Sequence, residues 1–172
     1  MAQSGDWTFA VDAGTVVATN QPVRLSRGFG GAVAASAMRP LGETLALSID
    51  AHLKALPPGA LTPRGVVQIA SPPPVTGYFG TAGMGGSVLA PVPTVGGVSE
   101  YVTAGAGIDR EYTMPHSSDG WRAGPLIWTG TFDVGYGARF GSGDRCGVEL
   151  QLLRFAAGSV RWLVPLTFKV GI

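Results

Sequence analysis

Residues 44–53 read Thr-Leu-Ala-Leu-Ser-Ile-Asp-Ala-His-Leu. Leu45, Leu47, Ile49, Ala51 and Leu53 share one face of a period-two chain, and Thr44, Ala46, Ser48, Asp50 and His52 share the other. The segment is a strand that is apolar on one side only. Upstream, Trp7, Phe9, Val11, Ala13 and Val17 oppose Thr8, Ala10, Asp12 and Gly14. Between the two, Phe29, Gly31, Val33, Ala35 and Ala37 oppose Gly28, Gly30, Ala32, Ala34 and Ser36.

The same period continues downstream. A fourth strand runs from Gly77 to Ala90, with Tyr78, Ala82, Met84 and Val88 outward, and a fifth from Ser99 to Tyr112, with Val102, Ala104, Ala106 and Ile108 opposite Tyr101, Thr103, Gly105 and Asp109. A sixth places Trp128, Phe132, Val134, Tyr136, Ala138 and Phe140 opposite Thr129, Thr131, Asp133, Gly135 and Arg139. The seventh sets Cys146, Val148, Leu150 and Leu152 against Gly147, Glu149 and Gln151; the last sets Trp162, Val164, Leu166, Phe168, Val170 and Ile172 against Arg161, Pro165, Thr167 and Lys169. Short turns at Arg39 to Gly42, Pro91 to Gly97 and Gly141 to Asp144 lie at one end of these strands. Longer connections at Ala18 to Val23, Pro57 to Val75 and Met114 to Pro125, together with Ala156 to Ser159, lie at the other. Closure removes exposed strand edges, so the expectation is all-β: an eight-stranded antiparallel up-and-down barrel, one domain over residues 1–172.

Two arguments decide which face is wet. An eight-stranded barrel has an interior barely wide enough for side chains, and the polar faces here are mostly Gly, Ala, Ser and Thr. A soluble barrel needs roughly 25 to 35% charged residues on its surface, whereas only 13% of this chain is charged. The bulky faces therefore belong in lipid, which makes the barrel transmembrane. No window reaches the ~18 to 20 apolar residues of a spanning helix. Aromatic residues gather near both strand ends, as at membrane interfaces: Trp7, Phe9, Tyr101, Phe140 and Phe168 at the short-turn end, and Phe29, Tyr78, Phe79, Tyr112, Trp128, Phe155 and Trp162 at the loop end.

The net charge of +1 gives no field for nucleic acid, and one cysteine with two histidines excludes a disulfide framework or a Cys/His zinc site. No cofactor or metal is expected. Ala2-Gln3-Ser4 reads as the start of a mature exported chain, with Met1 an added initiator.

Tyr101 to Ile108 (YVTAGAGI), Phe132 to Phe140 (FDVGYGARF) and the ending WLVPLTFKVGI resemble the small outer-membrane β-barrels of bacteria, the family of the OmpA and OmpX transmembrane domains. The resemblance implies a bacterial outer-membrane location, the lipid bilayer as partner, and lipopolysaccharide or an extracellular ligand at the loops. Ile172 departs from it, since the family usually ends in an aromatic residue.

With bulk outside, Asp12, Asp50, His52, Asp133, Arg139, Glu149 and Lys169 project into the lumen as a charge network, with Lys54, Asp109 and Arg161 beside them. Burial requires that they pair. The expected function is structural or surface recognition through the loops Pro57 to Val75 and Met114 to Pro125, in a monomer with a polar, mostly filled lumen. Three other readings use the same residues. A narrow gated pore would have Arg139 exchange partners among Asp133, Glu149 and Asp12. A lipid A-modifying enzyme would use His116-Ser117-Ser118-Asp119, though four adjacent loop residues do not make a nucleophile, base and orienter; the expectation is no enzyme. A soluble lipocalin-like carrier would turn the apolar faces inward. Cys146 is expected to be inert.

Overall fold

The computed structural model describes residues 6–19, 23–24, 29–63, 75–93, 98–117, 120–121, 126–141, 145–157 and 162–171. Eight long strands form the wall: β1 (Thr8–Thr19), β2 (Phe29–Pro40), β3 (Ala46–Pro63), β4 (Val75–Val92), β5 (Ser99–Ser117), β6 (Ile127–Phe140), β7 (Cys146–Phe155) and β8 (Trp162–Gly171). Each pairs antiparallel with its neighbours in sequence, and β1 pairs with β8, so the sheet closes.

Register fixes the tilt of the wall. A line of paired residues that leaves β5 at Ser99 passes through Arg139, Gly147, Lys169, Asp12, Ala34, His52 and Gly83, and returns to β5 at Asp109. The return point lies ten residues nearer the loop end than the start. Strands in such a barrel lean by roughly 40° from its axis. Because paired residues share a face, this line is also a staircase of inward side chains.

The apolar faces point outward. Phe9, Val33, Ile49, Met84, Val102, Phe132, Val134, Leu150 and Leu166 are all exposed on the wall, while Asp12, Lys54, Thr103, Asp109, Thr131 and Glu149 are buried inside. The inward-turned apolar faces of a soluble carrier are thereby overturned. The aromatic bands need one correction: Tyr101, Phe79 and Phe155 are buried in the lumen, although their strand-end positions suggested the outer girdles.

Two features were not expected. First, the loop end of the lumen is apolar, filled by Val16, Leu56, Phe79, Leu153, Phe155 and Leu163. Second, strands run into the segments read as loops: β3 continues to Pro63, with an irregularity between Leu56 and Gly59, β4 begins at Val75, and β5 continues to Ser117. Val23–Arg24 adds to the end of β3, and Gly120–Trp121 folds back on His116 and Ser117. The loops Pro57 to Val75 and Met114 to Pro125 are therefore shorter than the sequence suggested, because their ends keep the ladder hydrogen bonds. At the opposite rim the turns are tight, with Gly42 and Gly141 at φ of 114° and 89°, conformations that L side chains avoid.

Candidate functional site

Inside the barrel the staircase brings together charges from distant parts of the sequence. Lys169 on β8 is paired in register with Asp12 on β1, and its Nζ lies 3.6 Å from Asp12 Oδ2 and 3.3 Å from Glu149 Oε2. Glu149 also accepts hydrogen bonds from the Tyr101 hydroxyl at 2.8 Å and from Gln151 Nε2 at 2.6 Å. One buried carboxylate thus has three donors, the satisfaction a charge needs away from water.

A second group centres on His52. Its Nδ1 lies 2.6 Å from Asp50 Oδ2 and its Nε2 2.9 Å from Asp109 Oδ1. Both contacts can be donated only by the imidazolium, since a neutral ring carries one N–H. Each ring nitrogen of His52 thus has a carboxylate for its partner.

Glycine makes both groups possible. Gly83 lies in register between His52 and Asp109, and a Cβ there would come within 2.8 Å of the Asp109 carboxylate. Gly137 lies between Tyr101 and Glu149, and a Cβ there would strike the Tyr101 ring. A long side chain on one strand crosses a glycine on the next to reach its partner on the third.

Arg139 stands apart. Its guanidinium lies over the Tyr101 ring, 4.7 Å from the centroid, and Nη2 is 2.7 Å from Met38 Sδ. Asp12 and Glu149 are held by Lys169 instead, so the partner exchange envisaged for Arg139 has another cation in its place. Asp133 faces inward over Gly105, near Asp50 and Lys54. The network thus joins Asp12, Glu149 and Lys169 in one cluster, which Arg139 borders through Tyr101, and Asp50 and His52 in another, with Asp133 in neither set of contacts among the described residues. Its polar stretch encloses a cavity of about 50 Å³, lined by Asp12, Asp50, His52, Lys54, Glu149 and Lys169 among others, room for a water or two.

Tyr101, Gln151 and Met38 contribute partners that the charge pattern alone could not reveal. Their inward parity was legible; their reach across glycines depends on barrel shear. Among the described residues no group of three or more His, Cys, Asp or Glu is arranged to hold a metal. Cys146 is a free thiol near the turn end of β7. His116 and Ser117 sit in the β5 ladder, whereas Ser118, Asp119, Arg161 and Ile172 lie outside the described residues.

No family model and no curated protein matches the chain. Solved structures do. Ail, the attachment invasion locus protein of Yersinia pestis, crystallised in complex with the heparin analogue sucrose octasulfate, aligns with a TM-score of 0.57 at 11% identity over 98% of this chain and 99% of its own. Neisserial surface protein A aligns with a TM-score of 0.56 at 13% identity over 99% of both chains. The chain has the fold of the small bacterial outer-membrane β-barrels, of the OmpA and OmpX type, and its apolar exterior is the surface such a barrel turns to lipid.

Proposed function

We propose that the protein is an integral, monomeric, non-enzymatic barrel of the bacterial outer membrane, with recognition carried by segments at its loop end. The observation that supports this most directly is the sorting of its wall, with large apolar side chains exposed on the outside and Asp12, Lys54, Asp109, Glu111 and Glu149 buried inside. A soluble protein could not tolerate an apolar exterior on this scale. The loop-end extensions of β3, β4 and β5 carry the connecting segments beyond the rest of the wall, where loops commonly do the recognising. Ail, of the same fold, has been captured with a sulfated saccharide analogue; an extracellular saccharide or lipopolysaccharide is the class of ligand we assign to this rim.

Conduction is disfavoured by the apolar plug of Leu56, Phe79 and Leu163 above the charged stretch. The test is refolding into detergent or lipid followed by gel mobility with and without boiling. A compact, faster band that slows only on boiling supports the membrane barrel. A monodisperse protein in detergent-free buffer refutes it. Planar-bilayer recordings from the same material should show no discrete conductance, and lipid A incubated with it should keep its acylation by mass spectrometry.

A further inference from the structure

Two outward arginines near the loop end lie against tryptophans. Arg110 on β5 is paired in register with Trp128 on β6, and its Cζ lies 5.6 Å from the ring centroid. Arg154 on β7 is paired with Trp162 on β8, again at 5.6 Å. Shear decides whether the pairs share a height. Arg154 is in register with Phe132, which lies four residues nearer the turn end than Trp128 on the same strand. Each step from β5 toward β8 climbs toward the loop end by a little over one residue, because ten residues are gained over eight strands. Two steps recover more than half of that drop. The four side chains therefore occupy one belt, roughly 7 Å deep.

Below the belt, toward mid-barrel, the same strands expose only apolar bulk: Phe132, Val134, Leu150, Leu152 and Leu166. On the adjoining strands β1 and β2, Val17, Thr19 and Phe29 fall at the belt's height and carry no charge. Trp128 is 60% exposed, at the level where tryptophan marks the lipid–water interface. Among the described residues, the outward cations at this depth are thus those of β5 and β7.

Neither guanidinium meets a carboxylate among the described residues. An indole face occupies a guanidinium's flat side and leaves its in-plane N–H donors free. At headgroup depth the acceptors that suit this planar fork are phosphate oxygens, taken two at a time. The indoles supply flat faces for the apolar side of a sugar ring.

We propose that the outer wall of β5 to β8 binds the phosphorylated glycolipid of the loop-side leaflet, with phosphates on Arg110 and Arg154 and sugar against Trp128 and Trp162. The site rests on the membrane reading above but is separate from the loops. The test places the folded protein in phosphatidylcholine nanodiscs doped with bisphosphorylated lipid A, or with its dephosphorylated form, and counts co-purifying lipid by native mass spectrometry. The wild type should retain the phosphorylated lipid selectively. Arg110→Gln and Arg154→Gln should each lower retention roughly fivefold, and together about twenty-fivefold, with the boiling-dependent gel shift unchanged; the double lysine variant, which keeps the charge without the fork, should restore only part of it. Equal retention by the double glutamine variant, equal retention of the dephosphorylated lipid, or complete displacement by millimolar inorganic phosphate would overturn the glycolipid site. Failure of the wild type to enter bilayers would overturn the membrane reading itself, and the site with it.

Discussion

The imidazole of His52 reaches Asp109 at 2.9 Å across the bare backbone of Gly83, although the two residues are 57 positions apart and two strands distant. Asp109 is fully buried, so the contact is the means by which its charge is tolerated. Replacing His52 by Leu should destabilise the barrel by about 3–5 kcal/mol, the cost of leaving a buried ion without its partner. His52→Leu combined with Asp109→Asn should recover part of the loss. Urea titration of the refolded protein in lipid vesicles measures both; a single variant as stable as wild type would remove the clamp from the account.

Gly83→Ala tests the space beneath that contact. The added Cβ would lie 2.5 Å from the Ile108 carbonyl oxygen and 2.8 Å from Asp109 Cγ, and relief requires backbone movement. A loss of about 1–3 kcal/mol is expected. Gly130→Ala is the control, because nothing lies within 4 Å of a Cβ there; its effect should stay within about 0.5 kcal/mol.

Lys169→Met removes the cation shared by Asp12 and Glu149. Stability should fall by about 3 kcal/mol, and Lys169→Arg should keep most of it. If Lys169→Met unfolds at the wild-type urea midpoint, the pair contributes nothing.

Lipid exposure gives a depth-dependent prediction. Val134 lies midway between the aromatic residues Trp128 and Phe140 of β6, so Val134→Arg should cost about 2–4 kcal/mol, while Val170→Arg, near the turn rim, should cost about 1 or less. Equal costs at the two depths would contradict the placement of the bilayer.

Leu163 is wholly buried in the apolar plug. Leu163→Ala should cost about 2–5 kcal/mol through the cavity it leaves. The same urea series reports it, and a neutral result would mean that the plug is loosely packed.

The wall was legible because period two survives wherever one face meets lipid and the other a cramped interior. Parity puts Leu47, Val134 and Leu166 on the apolar face, and the small residues opposite, with the low charge of the chain, turn that face outward. The plug was not, because Val16-Val17 and Leu152-Leu153 put apolar residues on both faces and make parity uninformative about what fills the lumen. Tyr101 and Phe155 stand at strand ends, where girdle aromatics occur, but share the inward face of Thr103 and Leu153, and the face decides their burial. The partners within the network were hidden for another reason: contacts across an intervening glycine depend on shear, which appears only when the register closes on itself. The strand extensions from Pro57 to Pro63 escaped notice because prolines read as loop, yet here they sit beside an irregularity that lets the ladder resume.

The wall is sealed by its first strand meeting its last, with Asp12 and Lys169 facing each other across that junction. Without residues 162–171 the sheet would be an open ribbon with two unsatisfied borders, and Asp12 would lack its cation. Sealing of the wall and pairing of its interior ions therefore depend on the same ten residues, and a polypeptide cut before residue 162 loses both at once.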